Sequence, residues 1–373
     1  MSEWKKVKLG EISHYVNEKS SIALTNELYY VSTDSMLKDR GGVISPESIP
    51  ANGNVTKYKK DDILVSNIRP YFKKIWFSNR QGGCSNDVLV FRAQKEIIPQ
   101  YLYYVLSDDL FFEHMMAGAN GTKMPRGNKN LIMNYSFGLP PLEIQHRIAT
   151  ILSRYDSLIE NYQKQIKLLE ETAQRLYKEW FVELRFPGYE STKIVDGVPE
   201  GWERKKLGEV AEFKRGKTIT KKEAIEGNVP VVAGGLEPAY YCDKSNTTNR
   251  VITISGSGAN AGYTRMYFEK VWASDCSFSD TSITDYLHFV FCFLRENKTV
   301  IDNMQKGAAQ PHVYAKDINS MEMLLPIKKI LILYEQRVSR FFDTIESLQS
   351  QIRLLTEARD RLLSKLMGGG IEV

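Results

Sequence analysis

The chain has 373 residues, 42% of them hydrophobic and 25% charged, with a formal net charge of +5. That length suits two domains better than one core, and the longest apolar runs fall well short of the ~20 residues of a membrane helix. Cys84, Cys242, Cys276 and Cys292 are scattered, without a Cys-x-x-Cys pair or histidines at ligand spacing, and Met-Ser-Glu-Trp is no secretory signal; a cytoplasmic protein with reduced thiols and no metal site is expected.

"WKKVKLGEI" opens the chain at Trp4, and "DRGGVIS" (Asp39 to Ser45) reads as a turn. The short β-branched run Ile63 to Val65 predicts a buried strand and Lys74 to Phe77 a second, with Asn67 to Lys73 as the loop between them. Tyr101, Leu102, Val105 and Leu106 share a helical face, predicting one helix that ends near Ala117-Gly118. The Gly-rich basic loop "GANGTKMPRGN" follows, and Pro140-Pro141 marks the next helix start. Asp61-Asp62 and Asp108-Asp109 read as solvated turns and caps.

From Ile148 the apolar residues alternate steps of four and three. They run through Leu152, Tyr155, Ile159, Tyr162, Ile166, Leu169, Ala173, Leu176 and Trp180, the a/d seam of a coiled coil. "RFPGYESTKIVDGVPEGW" carries Pro187, Gly188, Gly197, Pro199 and Gly201, so it is a linker and not a helix. Then the plan repeats. "WERKKLGEV" begins at Trp202, "VITISGSGANAGYTRMYF" (Val251 to Phe268) gives strand, Gly-rich loop and strand, and "GAAQPHV" lies in the second basic loop. A second seam follows: Val338, Phe341, Ile345, Leu348, Ile352, Leu355, Arg359, Leu362 and Leu366. With one seam laid on the other, Gln165 and Gln351 coincide and start the matching "QIKLL" and "QIRLL"; only Ala173 is replaced by a charge.

The expected fold class is α+β: two similar globular α/β units, each followed by a long coiled-coil helix. The boundaries are 1–140 for the first unit, 141–185 for its helix, 186–201 for the linker, 202–325 for the second unit and 326–373 for the second helix and tail.

Residues 141–201 hold more acid than base, so the positive charge belongs to the globular units. There it gathers in windows without any acid: Ile63 to Ser85, His114 to Leu142, Phe213 to Lys222, Lys244 to Phe268 and Asn303 to Lys316. Cations for phosphates, mixed with amides and guanidinium forks for base edges, are what a DNA-reading surface needs. Solvated loops are the plainer alternative for any one window, but recurrence in both repeats favours a shared role. The candidates for DNA contact in the first unit are Asn67, Arg69, Tyr71, Lys73, Lys74, Lys123, Arg126 and Asn128. In the second they are Lys214, Arg215, Lys217, Ser257, Asn260, Tyr263, Arg265, Gln310 and His312.

Catalysis has no support. "AEFKRGKT" (Ala211 to Thr218) resembles the end of a phosphate-binding loop but lacks its first glycine and a following helix pattern. No Asp/Asn/Ser-Pro-Pro-aromatic motif exists, since "LPPL" lacks both ends, and the five histidines (His14, His114, His146, His288, His312) cluster with neither carboxylates nor cysteines.

Together the two W-x-x-x-x-L-G-E starts, "LPPLEIQHRIATIL" (Leu139 to Leu152) with its echo "YEQRV" (Tyr334 to Val338), "GVPEGW" and "GAAQPHV" resemble the specificity subunits of type I restriction–modification enzymes. The resemblance covers nearly the whole chain. It implies two target-recognition domains held apart by an antiparallel helix pair with pseudo-twofold symmetry, a non-catalytic chain, and a split double-stranded DNA target whose gap the helices set. It further implies two adenine-N6 methyltransferase subunits and restriction translocase subunits as partners, with S-adenosylmethionine, ATP and Mg bound by those partners and no cofactor or membrane contact here. The second helix start departs from the pattern by the inserted "KKILIL". A coiled-coil assembly protein whose units bind protein, and the specificity subunit of a solitary methyltransferase, are the rival readings.

Overall fold

The computed structural model describes residues 4–22, 29–46, 48–121, 123–307 and 310–371. Thr122 of the first basic loop and Ala308-Ala309 of the second lie outside them. Two compact units emerge, Met1–Asn161 with Ile352–Val373, and Tyr162–Gln351. Each contains part of both long helices, Leu142–Tyr177 and Lys328–Met367.

In the first unit an antiparallel sheet runs in the order Ser13–Tyr15, Val88–Ala93, Ile63–Ser66, Ile75–Phe77. Its central strands are continuous hydrophobic runs because both faces are covered. Ile63, Val65, Leu89 and Phe91 point to the helices, while Leu64, Val88 and Val90 alternate to the opposite side. There a second sheet packs, of Lys19–Ser21, Asn54–Tyr58, Gly82–Cys84 and Tyr30–Val31. Lys5–Lys8 pairs with Ser136–Leu139 and closes the unit. Ile148 and Leu152 of the first long helix join Leu363 and Leu366 of the second in the same core. Asp156 pairs further along with Arg359. As one helix advances the other retreats, so the two run antiparallel here.

The second unit repeats this design. Its sheet runs Lys214–Arg215, Cys276–Asp280, Val251–Ser255, Thr264–Tyr267. Beside it lies a smaller sheet of Tyr240–Cys242, Val229–Val232 and Trp272–Ala273. Glu203–Lys206 closes against Glu322–Leu325 in the register of the first unit. Ala173, Tyr177, Trp180 and Phe181 pack with Phe289, Tyr334 and Val338 in one aromatic-rich core. The linker carries a short hairpin, Ile194–Val195 with Val198–Pro199, turned by Asp196-Gly197 with both φ angles positive.

No seam residue is exposed. Ile148, Leu152, Ile159, Trp180, Val338, Ile345, Leu348 and Leu366 are buried, and Tyr155, Tyr162, Ile166, Leu169, Leu176, Phe341, Ile352, Leu355 and Leu362 are half-buried. Leu168 and Leu354, one step off the stripe, are each 61% exposed. The regular first helix stops at Tyr177 and passes into a π turn, Lys178–Val182. Leu184 then takes a left-handed φ of 56°, and the Arg185 N–H closes the turn on the Glu179 carbonyl at 2.8 Å.

Several expectations need correcting. The single helix through Ala117 is two, Pro99–Ser107 and Asp109–Ala117, because Asp108 turns extended and caps the second by accepting from the Leu110 N–H at 2.9 Å. The strand expected from Lys74 begins at Ile75. Asp62 is not a solvated turn residue. It is fully buried and takes a bidentate pair from Arg92 at 2.7 and 2.8 Å. That hydrogen-bonded pairing outweighs burial and raises the Arg92 pKa.

Each long helix also holds the entrance of its neighbouring helix. Gln145 is buried; its oxygen accepts from the Ile98 N–H at 2.9 Å and its amide donates to the Glu96 and Pro140 carbonyls at 3.2 and 2.9 Å. In the second unit Glu335 accepts from the Phe289 N–H at 2.8 Å and meets His288 Nδ1 at 2.7 Å; this corrects the expectation that no histidine meets a carboxylate, the partner lying 47 residues away on the long helix. Truncating either leaves buried donors unpaired. Gln145→Ala and Glu335→Ala should each cost about 1–3 kcal/mol, read in urea melts, against little for Gln163→Ala on the exposed face.

Candidate nucleic-acid interface

In the first unit two loops distant in sequence are tied into one surface. Asn120 and Arg126 face one another, each residue's N–H donating to the other's carbonyl at 2.9 Å. Gly121, with φ +92°, takes a left-handed conformation that glycine adopts readily. The Asn67–Lys73 loop is stitched to it: the Arg69 N–H donates to the Pro125 carbonyl at 2.8 Å and the Gly127 N–H to the Asn67 carbonyl at 3.2 Å. The Asn67 N–H in turn donates to the Asp87 carbonyl at 2.8 Å.

The second unit builds the same device from different side chains. Lys306 and His312 exchange backbone bonds at 2.9 Å, the Gly258 N–H donates to the Pro311 carbonyl at 3.0 Å, and the Val313 N–H to the Gly256 carbonyl at 3.1 Å. The Gly256 N–H donates to the Asp275 carbonyl at 3.0 Å. The offset that superposes the two helix seams also sets Asn120 on Lys306, Gly121 on Gly307, Pro125 on Pro311 and Arg126 on His312. Two loops therefore meet identically in both units while the side chains they display differ. Arg69 stands at φ 50° where the second unit has Gly258, and Lys73 at φ 48°. Left-handed conformations in residues with a Cβ cost about 1 kcal/mol or more and gather at functional sites.

The predicted residues divide by what their polar groups do. Tyr71, Lys123 and Arg126 are exposed at the joined loops, as is Gln310 in the second unit, where Lys214, Arg215 and Lys217 are exposed on a separate segment. Lys123, Lys214, Arg215 and Lys217 make no side-chain bond among the described residues. The Lys214–Lys217 segment is placed by backbone bonds from Gly216 to Cys276 at 2.8 Å and Lys217 to Ala273 at 2.9 Å. It thus lies beside the Cys276–Asp280 strand, which Asp275 directly precedes. Arg126 leans on Asp87 at 3.1 Å with both side chains solvated, an orienting contact that a phosphate or base edge can displace. The His312 ring stacks on Tyr314.

Other candidates have their polar groups either paired with other residues or turned into the fold. Lys73 pairs with Asp109 at 2.8 Å. Lys74 donates to the Thr33 carbonyl at 2.6 Å, and burial lowers its pKa. Asn67 is buried, with Oδ1 unpaired, and the Arg69 Nε is buried without a partner. Asn128 caps Lys129–Ile132, accepting from the Asn130 and Leu131 N–H groups at 3.0 and 3.3 Å. Ser257 gives its hydroxyl to Asp275, and the Asn260 amide donates to the Gly234 carbonyl at 3.4 Å. Arg265 departs furthest: it donates to the Leu236 carbonyl at 2.8 Å and lines, with Tyr263, a cleft of about 280 Å³ shared with Glu170, Glu237 and Arg295. These residues position the loops or serve other surfaces.

The structure adds residues absent from the candidates. The turn at Asp39-Arg40 docks on the first loop through bonds from their N–H groups to the Phe72 and Lys73 carbonyls, at 2.9 and 3.0 Å. Lys38 then sits 4.3 Å over the Phe72 ring, and Arg40 joins Lys73 on Asp109. Nothing local in the sequence announces that contact. Tyr314, exposed between Lys306 and Lys316, was legible as an aromatic in an acid-free window. Around the phosphate-loop look-alike, a helix (Leu207–Val210) precedes, a strand (Lys214–Arg215) runs inside it, and coil and turn follow it, where a nucleotide loop requires a strand before and a helix after. Among the described residues no group of His, Cys, Asp and Glu could hold a metal ion.

A duplicated α/β unit presenting paired basic loops, once per repeat and each followed by a long helix, defines a two-module nucleic-acid reader. The family model described as the type I restriction modification DNA specificity domain matches residues 1–171 and 199–357. The chain belongs to that family. It is 27% identical over 304 residues to the type I restriction enzyme MjaIX specificity subunit of Methanocaldococcus jannaschii, covering 74% of this chain and 70% of that one. The HindI specificity subunit of Haemophilus influenzae is 21% identical over the whole of both chains. Among solved structures, the type I restriction–modification S subunit from M. genitalium shares the fold, with a TM-score of 0.58 and 18% identity over 98% of this chain and 96% of that one.

Proposed function

We propose that this chain is the non-catalytic, DNA-reading subunit of a type I restriction–modification enzyme, and that each unit reads one half of a split double-stranded target. The observation that carries this reading is the two-loop device, built at matching positions of both units with Arg126 in one and His312 in the other. Identical scaffolds with different displayed side chains are what two unlike half-sites require. The helices set the unread gap. Two methyltransferase subunits supply S-adenosylmethionine chemistry, and restriction translocase subunits supply the ATP- and Mg-dependent steps.

The deciding experiment is a base-resolution map of N6-methyladenine in the host genome with the gene intact and deleted. Loss of one split motif on deletion supports the reading; an unchanged methylome refutes it for that host. Exposed arginines that fork onto a guanine carry about 1–3 kcal/mol of discrimination. Arg126→Ala in the methyltransferase complex should therefore weaken binding by roughly 10- to 100-fold and relax preference at one half-site only. Lys214→Ala should weaken binding to all sequences alike and flatten the salt dependence by close to one phosphate contact. Fluorescence anisotropy on duplexes altered in either half separates the two effects.

A further inference from the structure

We propose that the polar cluster Tyr104–Asp156–Arg359, two of its members buried and Asp156 half-buried, selects the partner of each long helix, making the two helices of one chain pair with each other and not with the same helix of a second copy. Arg359 occupies a seam position yet is only 8% exposed. Its Nη1 donates to Asp156 Oδ1 at 2.8 Å, and the Tyr104 hydroxyl donates to Asp156 Oδ2 at 2.6 Å. Asp360 takes the other edge of the guanidinium at 2.8 Å. All of these lie in the first unit.

Among the described residues the second unit has no such cluster at the matching positions. In the alignment of the two seams Asp156 corresponds to Phe342 and Arg359 to Ala173, and "YLYYVL" (Tyr101–Leu106) matches "YLHFVF" (Tyr286–Phe291), which sets Phe289 at the place of Tyr104. Phe342, Ala173 and Phe289 are all buried in one apolar core. The repeat is otherwise faithful along the seam, so two copies of the first helix present nearly the same stripe to one another as the first does to the second. The polar cluster breaks that equivalence. Pairing first helix with first helix sets Asp156 against an Ala173, and second with second sets Arg359 against a Phe342. Either way the half-buried Asp156 or the buried Arg359, left with Asp360 of its own helix alone, loses its partner across the pair, which is unfavourable, whereas only the intramolecular pairing joins the two. A single polar seam position choosing partner and register at some cost in stability is known coiled-coil behaviour.

The test uses the full chain. Asp156→Phe with Arg359→Ala gives each position its counterpart's residue; Asp156→Leu with Arg359→Leu is a second version with other packing. Two differently tagged copies of each protein are unfolded together in urea, refolded at high concentration, and captured by one tag. Apolar replacement of a buried pair is often neutral, so a melting temperature within about 5 °C of the parent is expected. Mixed assemblies should rise at least about tenfold over the parent in either version that folds. A folded variant that mixes no more than the parent overturns the proposal, as does a parent that mixes freely. Should neither version fold, the cluster is a requirement for folding and not a selector, which also overturns it.

Discussion

Replacing residues 202–325 with the corresponding unit of a relative is expected to change one half of the methylated motif completely and leave the other half and the gap unaltered. The boundaries fall where the fold allows an exchange. Trp202 follows Gly201, whose φ of +80° ends the linker, and the closing pair Glu203–Lys206 with Glu322–Leu325 keeps both ends of the exchanged segment together. The paired loops at Gly256–Gly262 and Lys306–Val313 lie wholly inside it. Each base pair of a half-site contributes about 1–3 kcal/mol, so a half-site of several base pairs amounts to discrimination of roughly a thousandfold or more. One condition applies: the incoming unit must preserve contacts to residues 162–201 and 326–351. Glu335 needs an N–H at Phe289 and a ring nitrogen at His288, and Gln174 needs the Cys292 carbonyl at 3.2 Å. A hybrid methylome altered in both halves would refute modular reading.

Such a prediction can be framed because much of the organisation was legible in the sequence, and the reason is periodicity. A seam of alternating fours and threes survives any local irregularity, since each step is checked by its neighbours; every seam residue proved buried or half-buried. The strand at Ile63 was legible for a related reason: a run buried on both faces must be apolar throughout. The loops were harder. Acid-free windows marked where the basic surface lies, but they cannot tell a lysine facing solvent from one facing its own fold. Lys73 is matched to Asp109 from a segment 36 residues later, and Lys74 to a carbonyl 41 residues earlier. Arg265 has a polar window around it in sequence yet faces Glu237 in space. Asp62 misled in the opposite direction, because its partner Arg92 is 30 residues away on the adjoining strand. Charge assignment depends on tertiary pairing, and pairing leaves no periodic trace.

Deleting one heptad from each long helix, Tyr162–Leu168 and Leu348–Leu354, is expected to shorten the gap of the recognised sequence by about three base pairs without touching either half-site. The two segments occupy equivalent places when the seams are superposed. Their removal keeps the seam in phase, since Ile159 is then followed by Leu169 and Ile345 by Leu355, each at a step of three. Asp156 and Arg359 stay paired on one side of the deletion, and the Tyr334 hydroxyl keeps its 3.3 Å bond to the Ala173 carbonyl on the other. Seven residues at 1.5 Å each remove about 10.5 Å of helix, close to three steps of B-DNA at 3.4 Å. That shift also turns one half-site by roughly a third of a helical turn, so a target with the original gap can satisfy only one unit at a time. Binding to it should fall toward that of a single half-site, a loss of about a thousandfold or more, and return on a duplex shortened by three base pairs. Methylation maps of the deleted protein would show the new gap directly. Persistence of the original gap would mean that something other than helix length sets the spacing, and the helices would then have to be regarded as docking surfaces instead of as a ruler.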